Sequence, residues 1–589
     1  MVSPTISRQD GTSPPGTVRE FKTGGDKPLP YNVGPRPRNH PREPPRMKTA
    51  DAIAHVLKAE GVDILFAYPV NPIIEACAVA DIRTIICRQE RIGLHMADAY
   101  SRMSSGRKIG VFSMQHGPGS ENAFGGVAQA YSESSPILVL PAGYPRRIAN
   151  YYPNFNSARS MESVTKWAEP LTMGRAIPEV MRRAFFQLRN GRPGPVLVEV
   201  PMDVFREDAP EDWVYEPSYA TRTAPDPDAV EEAAAVLASA ERPVIYAGQG
   251  VHYAEAWQEL KALAERWNIP VTTSLEGKSA FPENHPLSLG SGGRANPRPV
   301  KTFLAEADVI LGVGCSFALT GFGVPMPRGK TIIHATLDPM DLNKDVPAQH
   351  ALIGDAKLCL AHLSEALADR DRTQAENRRD VPARIAAIRA EWLAEWEAKR
   401  THNEAPLNPY RVLNELHQAV DIDNTIITHD AGSPRDQVSP FWASTTPLSY
   451  IGWGKTTQLG YGLGLAMGAK LARPEKLCIN VWGDAAIGFT GMDFETAVRE
   501  RIPILSILMN NFSMAIELPI MQVATEKYRS TDISGDYAAM ARAFGGYGER
   551  VEDPNDIRAA IERGIEKTRE GTPALLEFIT DKEISISAE

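Results

Sequence analysis

The chain has 589 residues, a formal net charge of −10 and 43% hydrophobic residues, which is ordinary for a protein with several globular cores. The negative charge argues against nucleic acid as the main partner, because phosphate binding needs concentrated Lys and Arg. No apolar run approaches the roughly 18 residues of a membrane-spanning helix, so we expect no membrane segment. Five scattered cysteines without a CxxC pair favour reduced thiols in a cytoplasmic protein over disulfides or a zinc site.

The first 47 residues differ in kind from the remainder. They are rich in Pro, Gly, Arg and Asp and have almost no periodic apolar pattern. Such a segment cannot bury enough apolar surface to fold alone. It also lacks the apolar stretch of a signal peptide. We therefore expect residues 1–47 to form a flexible extension, which a neighbouring subunit can order.

From Met47 onward, apolar strand patterns alternate with amphipathic helix patterns, which indicates a parallel α/β architecture. A first block covers residues 48–215 and is followed by a polar linker with prolines. A second block covers residues 225–365, and residues 366–404 form an Ala-, Glu- and Arg-rich helical connection. The third block covers residues 405–589.

The second block has glycines directly after its strand patterns, as nucleotide-binding Rossmann folds do. Gly248, Gly250, Gly312 and Gly314 nevertheless do not make the GxGxxG fingerprint of such a fold. Two interpretations stay open at this point: a nucleotide site, or tight turns that serve packing alone.

In the third block, two strand patterns end at residues with oxygen-bearing side chains. One strand ends at Gly483-Asp484 and the next at Asn510-Asn511. The carboxyl ends of parallel strands meet at one edge of a sheet, so Asp484 and Asn511 can offer oxygen ligands to one hard cation such as magnesium. The small residues Ala485 and Ala486 leave room for a diphosphate. The alternative is that Asp484 caps a helix and the asparagines form a turn.

This combination resembles the Gly-Asp-Gly to Asn-Asn signature of thiamine diphosphate enzymes, with Ala485 in the third position, as in acetolactate synthases. The distance from Asp484 to Asn511, 27 residues, also matches that family. The resemblance implies that Asp484, the side chain of Asn511 and the main-chain carbonyl of Ser513 bind Mg²⁺, and that Gly483 belongs to the cofactor site.

The first block carries the segment RQERIGLHMADAYSR, in which Glu90 follows a strand at the start of a helix. This segment resembles the acetolactate synthase run around the glutamate that exchanges a proton with the aminopyrimidine ring of thiamine diphosphate. Glu90 is therefore expected to be both catalytic and cofactor-binding, although a glutamate at a helix start can also be a solvent-exposed, dipole-favoured residue.

The resemblance extends over nearly all of residues 48–580. Tyr68 and Pro69 belong to a turn similar to the family's Gly-Tyr-Pro-Gly-Gly, and both are expected to line the cofactor site. Leu459 occupies the place of the hydrophobic residue that holds the coenzyme bent. The implied fold has three Rossmann-like, doubly wound parallel-sheet domains: pyrimidine-binding, central and diphosphate-binding. The implied active site lies between two subunits, with Glu90 from one chain and Asp484 from the other, so we expect a homodimer or a homotetramer.

The residues that set substrate choice depart from acetolactate synthase. Gln115 and His116 replace Thr-Ser before the Gly-Pro-Gly turn, and His116 can relay protons or form part of the pocket wall. The family's substrate-contacting Gln is replaced by Asn156 or lost. Pro434 replaces a His near the diphosphate, and Arg435 is a substitute source of charge. FAD, which acetolactate synthases carry in the central domain, stays open because GCSFALTGFG departs from their flavin-contacting segment.

The leading hypothesis is a thiamine diphosphate- and magnesium-dependent lyase or transferase that decarboxylates a 2-oxo acid and couples the product to a second carbonyl or a proton. A first alternative is cleavage of a diketone or action on an acyl-CoA. A second is a relative that binds the cofactor without catalysis. The presence of Glu90, Asp484 and Asn511 together argues against the non-catalytic alternative, because a pure binder has no need of a proton-exchanging acid.

Overall fold

The computed structural model describes residues 46–210 and 214–588. In these ranges it contains three six-stranded sheets whose strand pairs are all parallel. The predicted fold class, three doubly wound α/β domains, is thereby confirmed. The prediction about the N-terminal extension concerns residues that lie almost wholly outside the described ranges.

The first domain surrounds a sheet with the strand order β2-β1-β3-β4-β6-β5. Its strands are nearly continuous runs of buried apolar residues, as expected where helices cover both faces of a sheet. Its elements are α1 (Thr49–Ala59), β1 (Ile64–Tyr68), α2 (Asn71–Val79), β2 (Arg83–Ile86), α3 (Glu90–Arg102), β3 (Gly110–Met114), α4 (Pro118–Ser132), β4 (Ile137–Gly143), α5 (Ser157–Ser160), β5 (Trp167–Pro170), α6 (Ile177–Arg189) and β6 (Val196–Pro201).

The central domain has a different strand order, β12-β11-β10-β7-β8-β9. The order reverses between β7 and β10, as in dinucleotide-binding folds. Its elements are α7 (Pro227–Ser239), β7 (Val244–Ala247), α8 (Gly250–Tyr253), α9 (Trp257–Trp267), β8 (Val271–Ser274), β9 (Ser288–Gly292), α10 (Arg298–Glu306), β10 (Val309–Val313), β11 (Thr331–Thr336), β12 (His350–Ile353) and α11 (Ala356–Ala366), and the connection that follows contains α12 (Thr373–Asn377) and α13 (Val381–Arg400).

The third domain surrounds a sheet with the order β14-β13-β15-β16-β18-β17. Its elements are α14 (Pro409–Ala419), β13 (Thr425–His429), α15 (Ser433–Phe441), β14 (Tyr450–Ile451), α16 (Tyr461–Ala472), β15 (Leu477–Gly483), α17 (Asp484–Thr490), α18 (Phe494–Arg499), β16 (Leu505–Asn510), α19 (Gln522–Tyr528), α20 (Tyr537–Ala543), β17 (Tyr547–Val551), α21 (Ile557–Arg569) and β18 (Ala574–Ile579).

Two buried helices join the first domain to the third. α16 packs against α3 so closely that a Cβ atom at Gly468 would lie 2.2 Å from the carbonyl oxygen of Met96. A Cβ atom at Gly464 would lie 2.4 Å from Cβ of His95. At both positions only glycine allows this approach of the two backbones. This helix packing therefore places the carboxyl edge of the first sheet beside the third domain.

A buried ion pair joins the central domain to the third. The ammonium group of Lys278 lies 2.5 and 2.6 Å from the two carboxylate oxygens of Glu283, and both side chains are nearly inaccessible to solvent. Glu283 also accepts a hydrogen bond from the backbone N–H of Ser444 at 2.7 Å. Each charge is thus satisfied by hydrogen bonds, as a buried pair requires.

All five cysteines are unpaired and buried, which confirms the prediction of free thiols. In the ranges that the structure describes, none of the helices combines the length and the apolar character needed to cross a membrane.

Candidate active site

Asp484 lies at the carboxyl end of β15 and is 4% exposed. Its two carboxylate oxygens accept hydrogen bonds from the backbone N–H groups of Ala485, at 2.9 Å, and Ser513, at 3.0 Å. Burial raises the pKa of this carboxyl to about 6, although these hydrogen bonds oppose the effect. A buried carboxylate with a raised pKa has a deficit of positive charge around it, which a bound cation would supply.

The turn after β16 carries two asparagines with different partners. Asn510 is fully buried, and its Nδ2 donates to Oε1 of Glu577 at 2.7 Å. Asn511 is partly exposed, and its Oδ1 accepts from the N–H of Ser513 at 3.0 Å. The same N–H donates to Asp484, so one backbone group holds both side-chain oxygens at the edge of the sheet.

The backbone between these residues takes a shape that side chains rarely adopt. Phe512 has a φ of 55°, in the left-handed region, and thereby turns the chain back on itself. Among the described residues, no group of three or more His, Cys, Asp or Glu side chains is arranged to hold a metal. A site with one carboxylate, one side-chain amide and one main-chain carbonyl contains only one of these side-chain types and would not be counted as such a group. Oxygen donors of this kind suit magnesium.

A cleft lies beside Asp484, and all of its lining residues belong to the third domain. They include Leu459, Ala485, Ala486 and Asn511, so the structure brings these predicted site residues together. Gly483 also lines the cleft, and a Cβ atom there would have no neighbour closer than 3.9 Å. With a φ of −105°, nothing in the fold itself requires glycine at this position. The open space is the room that a closely approaching ligand would fill.

Glu90 is the first residue of α3, at the mouth of the first sheet, and is 2% exposed. Its Oε2 accepts a hydrogen bond from Nδ2 of Asn122 at 3.3 Å. Burial raises the pKa of this carboxyl above its ordinary value, while its own backbone N–H and Asn122 act in the opposite direction. A raised pKa makes the protonated form of this side chain more accessible than that of an ordinary glutamate.

The turn that carries this glutamate contacts the third domain of the same chain. Nε2 of Gln89 donates to the carbonyl oxygen of Phe489 at 2.6 Å. One turn into α3, a ring nitrogen of His95 lies 3.0 Å from Oε1 of Gln458, the residue before Leu459. Glu90 itself is not among the residues that line the cleft around Asp484.

The other predicted site residues of the first domain lie near the carboxyl edge of its sheet. Tyr68 is the last residue of β1 and pairs in register with Met114, the last residue of β3. Gln115 and His116 follow directly and are half-buried, whereas Pro69 is exposed. The carboxyl edge of the first sheet thus holds Tyr68, Gln115 and His116, as parallel strands require.

Two residues suggested as replacements for family contacts have other partners. Asn156 caps α5, because its Oδ1 accepts from the N–H of Arg159 at 2.8 Å. Arg435 is buried, pairs with both oxygens of Asp436 at 2.9 and 3.0 Å, and lies over the ring of Phe322 at 4.0 Å. The cleft around Asp484 includes Pro434 but not Arg435.

Sequence reasoning passed over Tyr144, which follows β4 at the edge of the first sheet. Its ring lies 4.5 Å from that of His116. The signal that could have found it was present, because a polar aromatic residue stands directly after a buried strand that neighbours β3. It was passed over because the turn after β4 keeps no recognisable family motif.

A larger cavity of about 780 Å³ lies where the three domains meet. The glycine turns of the central domain border it, but Gly248 and Gly250 also pack directly against Gly314, with Cβ positions 2.4 and 2.7 Å from its backbone. Tight packing therefore accounts for these glycines. Five arginines line the cavity: Arg107, Arg189, Arg192, Arg222 and Arg294.

Three family models match the chain, in chain order. Residues 47–163 match the thiamine pyrophosphate enzyme N-terminal TPP binding domain, and residues 230–363 match the thiamine pyrophosphate enzyme central domain. Residues 430–578 match the thiamine pyrophosphate enzyme C-terminal TPP binding domain. The matches fall on the three sheets, and the third one includes Asp484 and Asn511.

Similar proteins span almost the whole chain. A probable acetolactate synthase large subunit of Methanococcus aeolicus is 30% identical over 571 residues, covering 92% of this chain and 93% of that protein. The corresponding protein of Methanocaldococcus jannaschii is 31% identical, with 91% and 92% coverage. The acetolactate synthase isozyme 3 large subunit of Escherichia coli is 27% identical, with 90% and 94% coverage.

Proposed function

Because the chain belongs to the thiamine pyrophosphate enzymes of the acetolactate synthase type, we propose that it is a thiamine diphosphate- and magnesium-dependent carboligase or decarboxylase acting on a 2-oxo acid. The observation that carries the proposal is the turn at Asp484, Asn511 and Ser513 beside an open cleft. We assign residues 48–215 to the pyrimidine-binding domain, 225–365 to the central domain and 405–589 to the diphosphate-binding domain of this cytoplasmic enzyme.

The metal would be held by the carboxylate of Asp484, the amide oxygen of Asn511 and the main-chain carbonyl of Ser513. Asn510 is committed to Glu577, which leaves Asn511 as the asparagine that faces the cleft. Magnesium binds few protein oxygens together with phosphate oxygens, so a diphosphate would complete its coordination. Thiamine diphosphate, when bound, supplies the carbon nucleophile that attacks the substrate's carbonyl.

The residues of the cleft would hold and orient the cofactor. The open space over Gly483 and the small side chains of Ala485 and Ala486 leave room for the diphosphate. Leu459 would support the bent conformation from below, and Tyr68 and Pro69 would contribute from the edge of the first sheet. Glu90 would hold and return one proton at the ring nitrogen of the aminopyrimidine, the task for which its raised pKa suits it.

The test is Glu90→Gln, which keeps the size and the Asn122 contact but cannot exchange the proton. We expect turnover of 2-oxo acids to fall by about 100- to 10,000-fold while thiamine diphosphate still binds. The assay measures CO2 release and products with pyruvate and bulkier 2-oxo acids, and binding is followed by tryptophan fluorescence. Glu121→Gln, at an exposed position of α4, is the matched control. Normal turnover in Glu90→Gln would refute the assigned role.

We further propose that a second copy of the chain completes the site. Ile516 lines the Asp484 cleft and is 43% exposed, and Ile520 and Val523, a few residues further along the chain, are 78% and 64% exposed. Such a surface next to a cofactor site favours coverage by a partner. A homodimer is the minimum assembly that provides this cover, and a homotetramer would preserve it.

Mixing two inactive variants decides whether one or two chains build the site. If two chains share each site, a mixed dimer of Glu90→Gln and Asp484→Asn has one intact site out of two. Because about half of the dimers are mixed, about a quarter of the wild-type activity returns overall. If Glu90 serves the cleft of its own chain, as its contacts with the third domain of that chain permit, mixing restores nothing. Sedimentation of the wild-type protein measures the assembly independently.

We also propose the central cavity as the place of a nucleotide cofactor, with FAD as the first candidate. Its volume of about 780 Å³ is within the size range of cofactor sites. Arg222 and Arg294 line it and have no acidic partner among the described residues, so they are available to phosphate oxygens. Heat release followed by chromatography and visible spectroscopy tests this. Purified protein that neither contains nor takes up a nucleotide would contradict it.

A further inference from the structure

A third cavity, of about 220 Å³, lies between the central domain, α13 and the third domain. It shares no lining residue with the cleft beside Asp484 or with the cavity where the three domains meet. Sites for drug-sized ligands have about 300–1,000 Å³, so this cavity fits only a compact molecule. We call it the interdomain pocket, and its defining residues are Arg389 and Trp392 of α13, Tyr410 and His417 of α14, and Phe441 and Trp442 at the end of α15.

The walls of the interdomain pocket are aromatic and held in place. The rings of Trp392 and Phe441 stack with their centroids 4.9 Å apart, and Tyr410 meets Phe441 edge to face at 5.0 Å. The ring N–H of Trp392 donates to Oγ of Ser587 at 2.8 Å, and the hydroxyl group of Tyr410 donates to the carbonyl oxygen of Ser585 at 2.6 Å. The polar ends of both side chains are therefore satisfied, and their rings offer apolar contact to an occupant.

Arg389 brings a positive charge to this pocket that the described residues leave without an acidic partner. Its Nη2 donates to the carbonyl oxygen of Ser288, and within residues 46–210 and 214–588 its other nitrogens have no hydrogen-bond partner. Glu283 also lines the pocket, but both of its oxygens are paired with Lys278 at 2.5 and 2.6 Å. Burial lowers the pKa of Arg389, which the charge of Glu283 opposes. Because a guanidinium group stays protonated in proteins, an anion is the missing partner.

His417 carries a second unmet polar atom in the same pocket. Its ring meets that of Trp442 edge to face at 5.3 Å. Its Nε2 is enclosed, and in the described part of the chain no group hydrogen-bonds to it. Burial, with further effects from Arg400 and Lys278, lowers the pKa of His417, so the imidazole is neutral near pH 7 and can donate one N–H. Buried polar atoms are nearly always paired in folded proteins, so this atom also calls for a bound molecule.

These features select one chemical class of ligand. A carboxylate matches the planar fork of a guanidinium group with two parallel hydrogen bonds. A single unmatched cation calls for a single negative charge, and the aromatic walls call for an apolar body. An amino acid fits less well, because the one carboxylate among the lining residues, that of Glu283, is already paired with Lys278 and leaves no partner for an ammonium group.

We propose that the interdomain pocket binds a small monocarboxylate with an apolar or aromatic body. Its carboxylate pairs with Arg389 and accepts a hydrogen bond from Nε2 of His417, while its body packs against Trp392, Phe441 and Trp442. The inference goes beyond the proposed function and does not depend on it, because neither the cofactor nor a reaction enters the argument.

The first experiment measures binding to the full-length protein by calorimetric titration, with and without Mg²⁺ and thiamine diphosphate. The probes are benzoate, cyclohexanecarboxylate and isovalerate, and benzamide is the neutral control of benzoate's shape. We expect at least one of the acids to bind in both states, and benzamide to bind at least about tenfold more weakly than benzoate, because it cannot pair with a cation. A crystal soaked with 4-bromobenzoate then locates the probe by the anomalous signal of bromine.

Variants of the pocket test the assigned contacts. Arg389→Met removes the charge and keeps most of the side-chain length, so we expect affinity for the acids to fall at least about tenfold. Arg389→Lys keeps the charge without the fork and should lose less. Leu393→Phe fills part of the pocket without touching a charged group and should also weaken binding. Arg379→Met, at a side chain that is 73% exposed, is the control and should bind like the wild type.

Melting temperatures without ligand show which variants are folded, and Leu393→Phe decides if Arg389→Met is not. Bromine in the interdomain pocket together with weaker binding in the folded variants supports the proposal. It is overturned if none of the three acids binds, if benzamide binds as well as benzoate, or if the folded variants keep wild-type affinity. Bromine found only in the cleft beside Asp484 or in the larger cavity overturns it as well. Absence of turnover with 2-oxo acids would refute the proposed function and leave this result unchanged.

Discussion

The first and third domains share one strand order but carry different residue types where the corresponding strands end. Counted within each domain, both sheets run 2-1-3-4-6-5, whereas the central sheet runs 6-5-4-1-2-3. In the third domain, strands three and four end at Asp484 and Asn511. In the first domain, the corresponding strands end at His116 and Tyr144. Because the two sheets have the same topology, their corresponding strands end at equivalent positions. The residue types at those positions decide what can bind there.

The glycines at these edges show the same contrast. Gly117 is crowded and lies in the left-handed region, because the protein itself fills the space around it. Gly483 has an ordinary φ and open surroundings, which the proposed cofactor site would use for the ligand. We therefore expect Gly117 to serve the fold and Gly483 to serve cofactor binding.

The largest expected effect concerns the proposed metal site of the third domain. Asp484→Asn removes the one carboxylate of the site, so we expect the affinity for magnesium and thiamine diphosphate to fall by at least about 100-fold, since even residues behind a metal ligand contribute about 10- to 100-fold. Calorimetric titration measures this, with the exposed Asp556→Asn as control. His116→Phe, at the corresponding strand end of the first domain, should leave this affinity unchanged. An equal loss in both variants would break the comparison.

Exchanging each glycine for alanine should separate the two edges. Gly117→Ala places a side chain in the left-handed region, at a cost of about 1–2 kcal/mol, and forces the hydroxyl group of Tyr144 to move. We expect a lower melting temperature and a lower kcat/KM. Gly483→Ala should change the stability of the cofactor-free protein by less than about 0.5 kcal/mol while weakening thiamine diphosphate binding. Melting curves with and without cofactor measure both, and a marked destabilisation by Gly483→Ala would contradict this division.

The smallest expected effect on activity concerns the junction between the two domains. Glu133, at the end of α4, is fully buried, and its Oε1 accepts hydrogen bonds from the N–H groups of Gly454 and Lys455 at 3.2 and 3.0 Å. Burial, with a further effect from Glu276, raises the pKa of Glu133 above its ordinary value of 4.5. Its folded-state pKa thus exceeds the unfolded one, so its stability contribution is present below pH 4.5 and lost as pH rises through the folded-state value.

Glu133→Gln removes this titration. We expect the melting temperature of the variant, relative to the wild type, to rise between about pH 5 and about pH 8, with each unit of pKa shift worth about 1.4 kcal/mol. Scanning calorimetry across this range measures the difference. The exposed Glu121→Gln should give a difference that does not vary with pH. A pH-independent difference for Glu133→Gln would show that the junction does not titrate.

Much of the fold, and the residues of the proposed cofactor site, could be predicted from local pattern. Buried apolar runs alternating with amphipathic helices indicated three parallel sheets, because such strands need cover on both faces. Asp484, Asn511 and Glu90 could be named because each directly follows a strand and belongs to a motif. Tyr144 and Glu133 could not, because their importance arises from contacts with residues distant in sequence or from a turn without a recognisable motif.

The sequence by itself determined the α/β class, the order of the three domains, the free cysteines and the identity of the residues at the strand ends. These follow from periodicity and from the rule that parallel strands place their carboxyl ends at one edge. Only the tertiary structure decided which polar atoms are satisfied by the protein and which are left for a ligand. It commits Asn510 to Glu577 and Arg435 to Asp436, and it places Asn511 in the lining of the cleft beside Asp484. The reason is physical: hydrogen bonding and burial are properties of the packed chain, and no local pattern records them.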